Sequence, residues 1–172
     1  MARSKYPVKP TIIIDTREKP QNRLFAASDE GDKQIKAYIL EKVDAGDYTV
    51  LEIPNLVTIE KKQDGKELAS NFIKHKERFL REIERMQAFK HKYIVIQQTY
   101  PEFLDHNNWR PIRSIKKRLA WIAMVESWLI ALQQNDGVHF IFAGKEHAPR
   151  IAKKILLKTY EYERKRLNKA AE

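Results

Sequence analysis

Three short stretches carry side chains that could do chemistry together: Asp15-Thr-Arg-Glu18, Gly46-Asp47-Tyr48 and Glu60-Lys61-Lys62. In a β-strand, residues two apart lie on the same face at a spacing of about 6.6 Å. Glu60 and Lys62 therefore project together, and Lys61 points the other way. Two carboxylates converging on one point make a site for a hard divalent cation, Mg²⁺ or Mn²⁺, which takes oxygen ligands and keeps some of its water. Such a centre polarises a phosphoryl oxygen and activates a water, and an adjacent ammonium such as Lys62 orients that water or offsets developing negative charge. The chemistry this pattern points to is metal-dependent hydrolysis of a nucleic-acid backbone.

The pattern works only if the strands are in register. If residues 53 and 56 face each other across a turn at Pro54-Asn55, Lys62 lies opposite Asp47 and Glu60 opposite Thr49, so Asp47, Glu60 and Lys62 share one face. A bulge or an odd-length turn would break that parity. Taken singly, each residue has a plainer reading. Gly-Asp is a common turn signal, and Glu-x-Lys on a half-exposed strand is often a solvated face. The joint occurrence, with Asp15 delivered by the apolar run Ile12-Ile13-Ile14, favours a site.

The elements that must position these residues read as an α/β chain. Strands are expected at residues 11–14 and, as a meander, at 35–43, 47–53 and 57–62, with a loop from Glu18 to Lys33 containing Pro20 and Gly31 between. One amphipathic helix is expected over residues 66–89, where Leu68, Phe72, Phe79, Ile83 and Met86 repeat near the helical period. A strand at 93–96 and an irregular connection over 101–111 follow, then a helix over 114–134. A strand at 138–142 and a Lys- and Arg-rich helix over 145–168 complete the pattern. The 114–134 helix is apolar over a wider arc than one sheet-facing stripe needs, so it is expected either to be buried on two sides or to form an interface.

At 172 residues, with no linker, repeat or low-complexity tract, one domain over residues 1–172 is expected. Lys and Arg outnumber Asp and Glu by 33 to 23, a net charge of +10 that suits a polyanionic partner. The absence of cysteine excludes disulfides, thiolate metal sites and thiol nucleophiles. The basic stretch Met1 to Pro10 precedes an apolar run too short for a signal peptide or a membrane span, so no membrane partner is expected. The expected location is the cytoplasm of a bacterial or phage-infected cell.

In this order, Ile-Ile-Ile-Asp15-Thr-Arg-Glu18, Ala-Gly46-Asp47-Tyr, Ile-Glu60-Lys-Lys62, Glu67-Leu-Ala-Ser-Asn-Phe72 and Arg78-Phe-Leu-Arg-Glu82 resemble the nuclease domain of the XPF family of structure-specific endonucleases, especially its short stand-alone phage and bacterial relatives. The match spans about residues 11–104, and residues 105–172 form a helical and strand C-terminal part. The resemblance implies a single-domain, restriction-endonuclease-like mixed β-sheet flanked by α-helices, and metal-dependent cleavage of DNA. It further implies Asp47 and Glu60 as metal ligands, the Lys61 carbonyl as a further ligand, Lys62 as the catalytic lysine, and Asp15 as a carboxylate that ligates or supports the metal. Arg17 and Glu18 are supporting candidates that a loop-bracing salt bridge explains equally well.

The chain departs from the family pattern at two points. The family's Arg between Glu and Lys is replaced by Lys61, and the downstream acid is either Glu67, one residue late, or Asp64 in a Gln63-Asp64-Gly65 turn. Glu67 fits better, because a helix follows it, although it could equally be a helix-start carboxylate. Arg78, Arg81 and Arg85, and Lys153, Lys154 and Lys158, are candidate phosphate contacts or solvated helix faces. The five histidines show no ligand spacing, and the tryptophans read as core or interface residues. Cellular members of the family commonly append a tandem helix-hairpin-helix module, and no such segment is visible here. DNA binding is therefore expected to fall to the basic helices, to a homodimer through residues 114–134, or to a partner.

Branched, flap or junction DNA in repair, recombination or phage replication is the expected substrate. The alternatives are an inactive nuclease fold kept as a DNA-binding scaffold, and a restriction-type or resolvase nuclease on the same fold.

Overall fold

The structure is a computed structural model that describes residues 8–25, 33–110 and 112–170. Most of the basic N-terminal stretch, Gly31 of the expected loop, and Pro111 lie outside these residues. Six strands form one mixed sheet: β1 (Thr11–Asp15), β2 (Ala37–Glu41), β3 (Tyr48–Val50), β4 (Val57–Lys62), β5 (His91–Ile96) and β6 (Val138–Phe142). Their order across the sheet is β2-β1-β3-β4-β5-β6. β1 pairs with β2 in parallel and with β3 antiparallel. β3 and β4 are antiparallel, and β4, β5 and β6 run parallel.

β2, β3 and β4 do not form the expected meander. β2 does not pair with β3; it crosses over to pair in parallel with the outer side of β1. The segment between them is partly anchored in the core. After a turn of 3-10 helix at Pro20–Asn22, Leu24 and Phe25 are buried, and the Leu24 N–H donates to the Tyr48 hydroxyl at 2.8 Å.

Helices cover both faces, and β5 is apolar on both, with Ile94 and Ile96 toward one helix layer and Tyr93 and Val95 toward the other. On one face lie α1 (Gly65–Ile73), α2 (Lys76–Met86) and α4 (Ile115–Asp136), where Leu68, Phe72, Phe79, Ile83, Ile122 and Leu129 pack with Ile94 and Ile96. On the other lies α5 (Gly144–Lys169), whose Ala148, Ala152, Leu156 and Tyr160 pack on Ile12, Ile14, Tyr48, Val57 and Ile59. This architecture is the expected mixed sheet between helices.

The helix expected over 66–89 is two helices. Ser70 O accepts from both Lys74 N and His75 N, which closes α1, and α2 starts after His75. Phe72 and Phe79 meet edge to face across the break at 5.2 Å. Their seven-residue spacing keeps one apolar stripe continuous through a bend, which is why periodicity alone does not reveal it.

The irregular 101–111 connection contains α3 (Tyr100–Leu104), started by a Thr99/Glu102 capping box. α4 ends at Gly137, whose φ of 64° lets its N–H close on Leu132 O. Trp109 is buried, and Trp121 and Trp128 pack against the core. No helix among the described residues is long and apolar enough to cross a membrane.

Candidate active site

β4 is the spine of the site. Alternation turns Val57 and Ile59 toward α5 and leaves Thr58, Glu60 and Lys62 under α1 and α2. Observed pairing is Tyr48↔Ile59 and Thr49↔Thr58, two residues away from the register expected for a tight turn at Pro54-Asn55. The reason is a longer connection. β3 stops at Val50, Asn55 takes a left-handed φ of 60°, and the Glu52 carboxylate turns back to accept from the Thr11 N–H at 2.9 Å. An even shift preserves parity, so Glu60 and Lys62 remain on one face, and Asp47, next to inward-facing Tyr48, is turned to the same side.

The β3–β4 ladder ends at Asp47. Its N–H donates to Ile59 O at 2.8 Å, and its carboxylate Oδ2 accepts from the Lys61 N–H at 2.7 Å. Gly46 makes this possible. Its φ is +79°, and an added Cβ would lie 2.2 Å from Thr58 Oγ1, which is itself fixed by donation to Ala45 O at 2.7 Å. Asp47 stays partly open to solvent, whereas Glu60 and Lys62 are each only 6% exposed.

Lys62 Nζ donates to Glu60 Oε1 at 2.5 Å, lies 3.9 Å from oxygens of both Glu67 and Glu82, and sits 5.7 Å from the centre of the Phe79 ring. One ammonium thus serves three carboxylates, with Asp47 close by. Burial, reinforced by the charge of Asp47, pushes the Glu60 carboxyl well above the usual carboxylate range, and a hydrogen bond with Glu82 adds to the shift. Burial likewise raises Asp47 to about 7, with Glu18 adding to the shift and the Lys61 N–H opposing it. For Lys62 burial works against its charge, but Glu60 and Glu82 outweigh it and hold the amine protonated.

The neighbouring residues form a brace. Asp15 is buried, and its carboxylate accepts from the Arg17 backbone and guanidinium and from the Val43 N–H. Burial raises its pKa, but these bonds outweigh burial and set it below the usual value. Arg17 also donates to Val43 O and feels the charges of Asp47 and Glu60. On the other side of β4, Lys61 Nζ bonds Glu18 at 2.8 Å and Asn22 O at 2.7 Å. The loop after β1 is thereby tied to the site from both sides.

Both downstream acids belong to one helix start. Asp64 Oδ1 accepts from Glu67 N at 2.9 Å, and Glu67 Oε2 accepts from Gln63 N at 2.7 Å.

Asp15, Arg17, Glu18, Asp47, Glu60, Lys61 and Lys62 therefore form one cluster, with Glu67 at its margin. Glu82 is the site residue that the sequence reading left without a role. Its signal was faint: a carboxylate beside the Phe79, Ile83, Met86 stripe of α2, between exposed arginines. Of the basic candidates, Arg85 Nε reaches Asp44 O at 3.2 Å and so borders the cluster, while Arg78 and Arg81 are exposed on α2. Lys153, Lys154 and Lys158 lie on α5, across the sheet.

Among the described residues, no three His, Asp or Glu side chains are grouped tightly enough to hold a metal by themselves. The donor set nonetheless fits a hard cation. Burial and mutual repulsion disfavour the charged forms of Asp47 and Glu60, and a divalent ion that takes two carboxylate oxygens and keeps water would offset that repulsion.

The sequence matches the ERCC4 domain family over residues 14–149, which takes in the whole cluster and reaches beyond the 11–104 span to the start of α5. No curated protein matches it. Among solved structures, XPF from Aeropyrum pernix superposes with a TM-score of 0.56 at 13% identity, covering 84% of this chain and 64% of that one. XPF from Aeropyrum pernix in complex with DNA superposes with a TM-score of 0.57 at 13% identity, covering 90% and 66%. The chain spans just under two thirds of each of these structures, and the shared architecture is the restriction-endonuclease-like fold of the XPF nuclease domain.

Proposed function

From the premise that the chain belongs to the ERCC4 domain family, we propose that it is a DNA endonuclease that hydrolyses phosphodiester bonds at the Asp47, Glu60, Lys62 cluster with Mg²⁺ or Mn²⁺. The observation that carries this reading is the buried Glu60–Lys62 pair beside Asp47, which collects more carboxylate than its one ammonium can balance. Asp47, Glu60 and the Lys61 carbonyl would hold the cation. Once bound, it supplies Lewis acidity at a phosphoryl oxygen and a water of lowered pKa.

The protein's own groups do the rest. With Glu60, its tightest partner, serving as a ligand, the Lys62 amine would donate to the attacking water or a non-bridging phosphoryl oxygen. Glu82 and Glu67 keep that amine charged. Asp15, saturated by Arg17 and Val43, acts as the brace that fixes the strand end, and Lys61 with Glu18 holds the loop beside it. Arg78, Arg81 and Arg85 flank the site as phosphate contacts.

The preferred substrates are branched, flap or junction DNA, in repair, recombination or phage DNA metabolism. Incubation of the protein with labelled duplex, flap and four-way DNA in Mg²⁺ or Mn²⁺ tests this. Cleavage of the branched forms that Lys62→Met slows by roughly 10²-fold to 10³-fold is expected. No cleavage of any of them would sink the proposal.

The chain also forms a homodimer on this reading, through the 114–134 segment. Leu119 and Ile130 are 51% and 57% exposed on α4, although a neighbouring face of that helix is already buried. Light scattering is expected to give twice the chain mass at micromolar concentration, and Leu119→Glu with Ile130→Glu is expected to restore the monomer. A monomeric wild type removes the dimer from the proposal.

A further inference from the structure

Across the sheet from the carboxylate cluster, α5 and the entry to β1 enclose a cleft of about 760 Å³. Among the described residues that line it, seven are basic and one, Glu161, is acidic. Glu161 is already neutralised by Lys158 at 2.8 Å and Lys165 at 2.9 Å. Arg150 and Lys154 are exposed one turn apart on the α5 wall, and Lys9 and Lys33 are exposed on the facing wall. Arg164 closes one end with a buried Nε that has no hydrogen-bond partner among the described residues.

The shape selects a polyanion over a small anion. From Arg150 to Arg164 the helix rises about 21 Å, a length along which one strand of B-DNA sets about six phosphates. Placement makes this a second contact. The cleft is lined by Leu24, Phe25 and Tyr160 of the α5-side core, whereas Glu60 and Lys62 lie under α2 on the opposite face. A sheet with its helix layers separates the two, so a straight duplex lying on one does not reach the other.

We propose that the α5 cleft binds the phosphate backbone of a second DNA segment, the arm of a branched substrate that is not being cut. The inference rests on the DNA reading of the cluster but is tested without cleavage. Binding of a four-way junction and of a linear duplex of equal total length is measured by fluorescence anisotropy in EDTA across a salt titration. For Arg150→Gln/Lys154→Gln, the slope of log Kobs against log salt on the junction is expected to fall by about 1.8, since each lost phosphate contact removes about 0.9. On the linear duplex, which engages one face at a time, the fall is expected to be smaller. Lys9→Gln/Lys33→Gln, on the other wall, is expected to give the same pattern, so the result does not hang on one variant's folding. An unchanged slope on the junction, or an equal fall on both DNAs, overturns the inference. Loss of cleavage alone leaves it standing, because no metal or turnover enters the measurement.

Discussion

Glu60→Gln is expected to reduce cleavage of branched DNA by roughly 10³-fold or more, while retention of the same DNA in a gel shift stays nearly intact. The substitution removes one negative charge and keeps the shape, so the effect isolates the carboxylate. Folding should survive. Lys62 keeps Glu82 and Glu67 within 3.9 Å, so the buried ammonium is not left alone, and the cluster loses a carboxylate of which it holds a surplus. Removing a surplus buried charge costs little, in contrast to the several kcal/mol of stranding one. A melting temperature close to wild type, measured by circular dichroism, would confirm that condition. Turnover equal to wild type would remove Glu60 from the site. If the wild type itself bound DNA in a salt-sensitive way and took up no Mn²⁺ in a calorimetric titration, the chain would be the scaffold form of the fold.

Residues adjacent in sequence carried most of the site's legibility. Glu60 and Lys62 share a face whatever the turn does, because the two-residue period is a property of the strand. Their relation to Asp47 depended on a loop whose length and left-handed Asn55 no hydrophobic pattern encodes, and the register came out two residues away. Only the even shift kept the side chains on one face. β2 crossed to the far side of β1 because strand order is decided by burial across the whole sheet; a run of strand-like segments says nothing of which edges pair. Glu82 was hidden for a related reason: its place at Lys62 is a tertiary contact between α2 and β4, and α2 itself was read as the continuation of α1. A local device, Thr99, Pro101 and Glu102 at the start of α3, is by contrast encoded in the sequence itself.

Between about pH 4 and 7, the metal-free protein is expected to lose stability as pH rises, through Asp47 and, in the same direction, Glu60. The Asp47 carboxyl is raised to about 7 in the folded state, from the usual 3.8, chiefly by burial. In that window the unfolded chain releases this proton and the folded chain keeps it, so each step up in pH favours unfolding. The contribution is fully present below about 4 and gone above about 7. Asp15 acts with the opposite sign and in a different window. Its folded-state pKa is lowered, so its contribution is present above about 4 and lost as acid protonates it. Groups that do not touch the cluster cancel in a comparison with Asp47→Asn, which lacks the proton at issue. The wild type is expected to fall relative to that variant by on the order of 3 kcal/mol between pH 4.5 and 8, or about 10 °C in melting temperature for a chain of this size. Mg²⁺ at millimolar concentration should restore much of the loss at pH 8 and little at pH 5, because ligation requires the ionised carboxylate. Asp47→Asn should show a smaller fall and no rescue. Parallel melting curves for the two proteins across this range, with and without Mg²⁺, would show that Asp47 neither keeps its proton nor takes a cation, and would remove it from the cluster that the cleavage reaction needs.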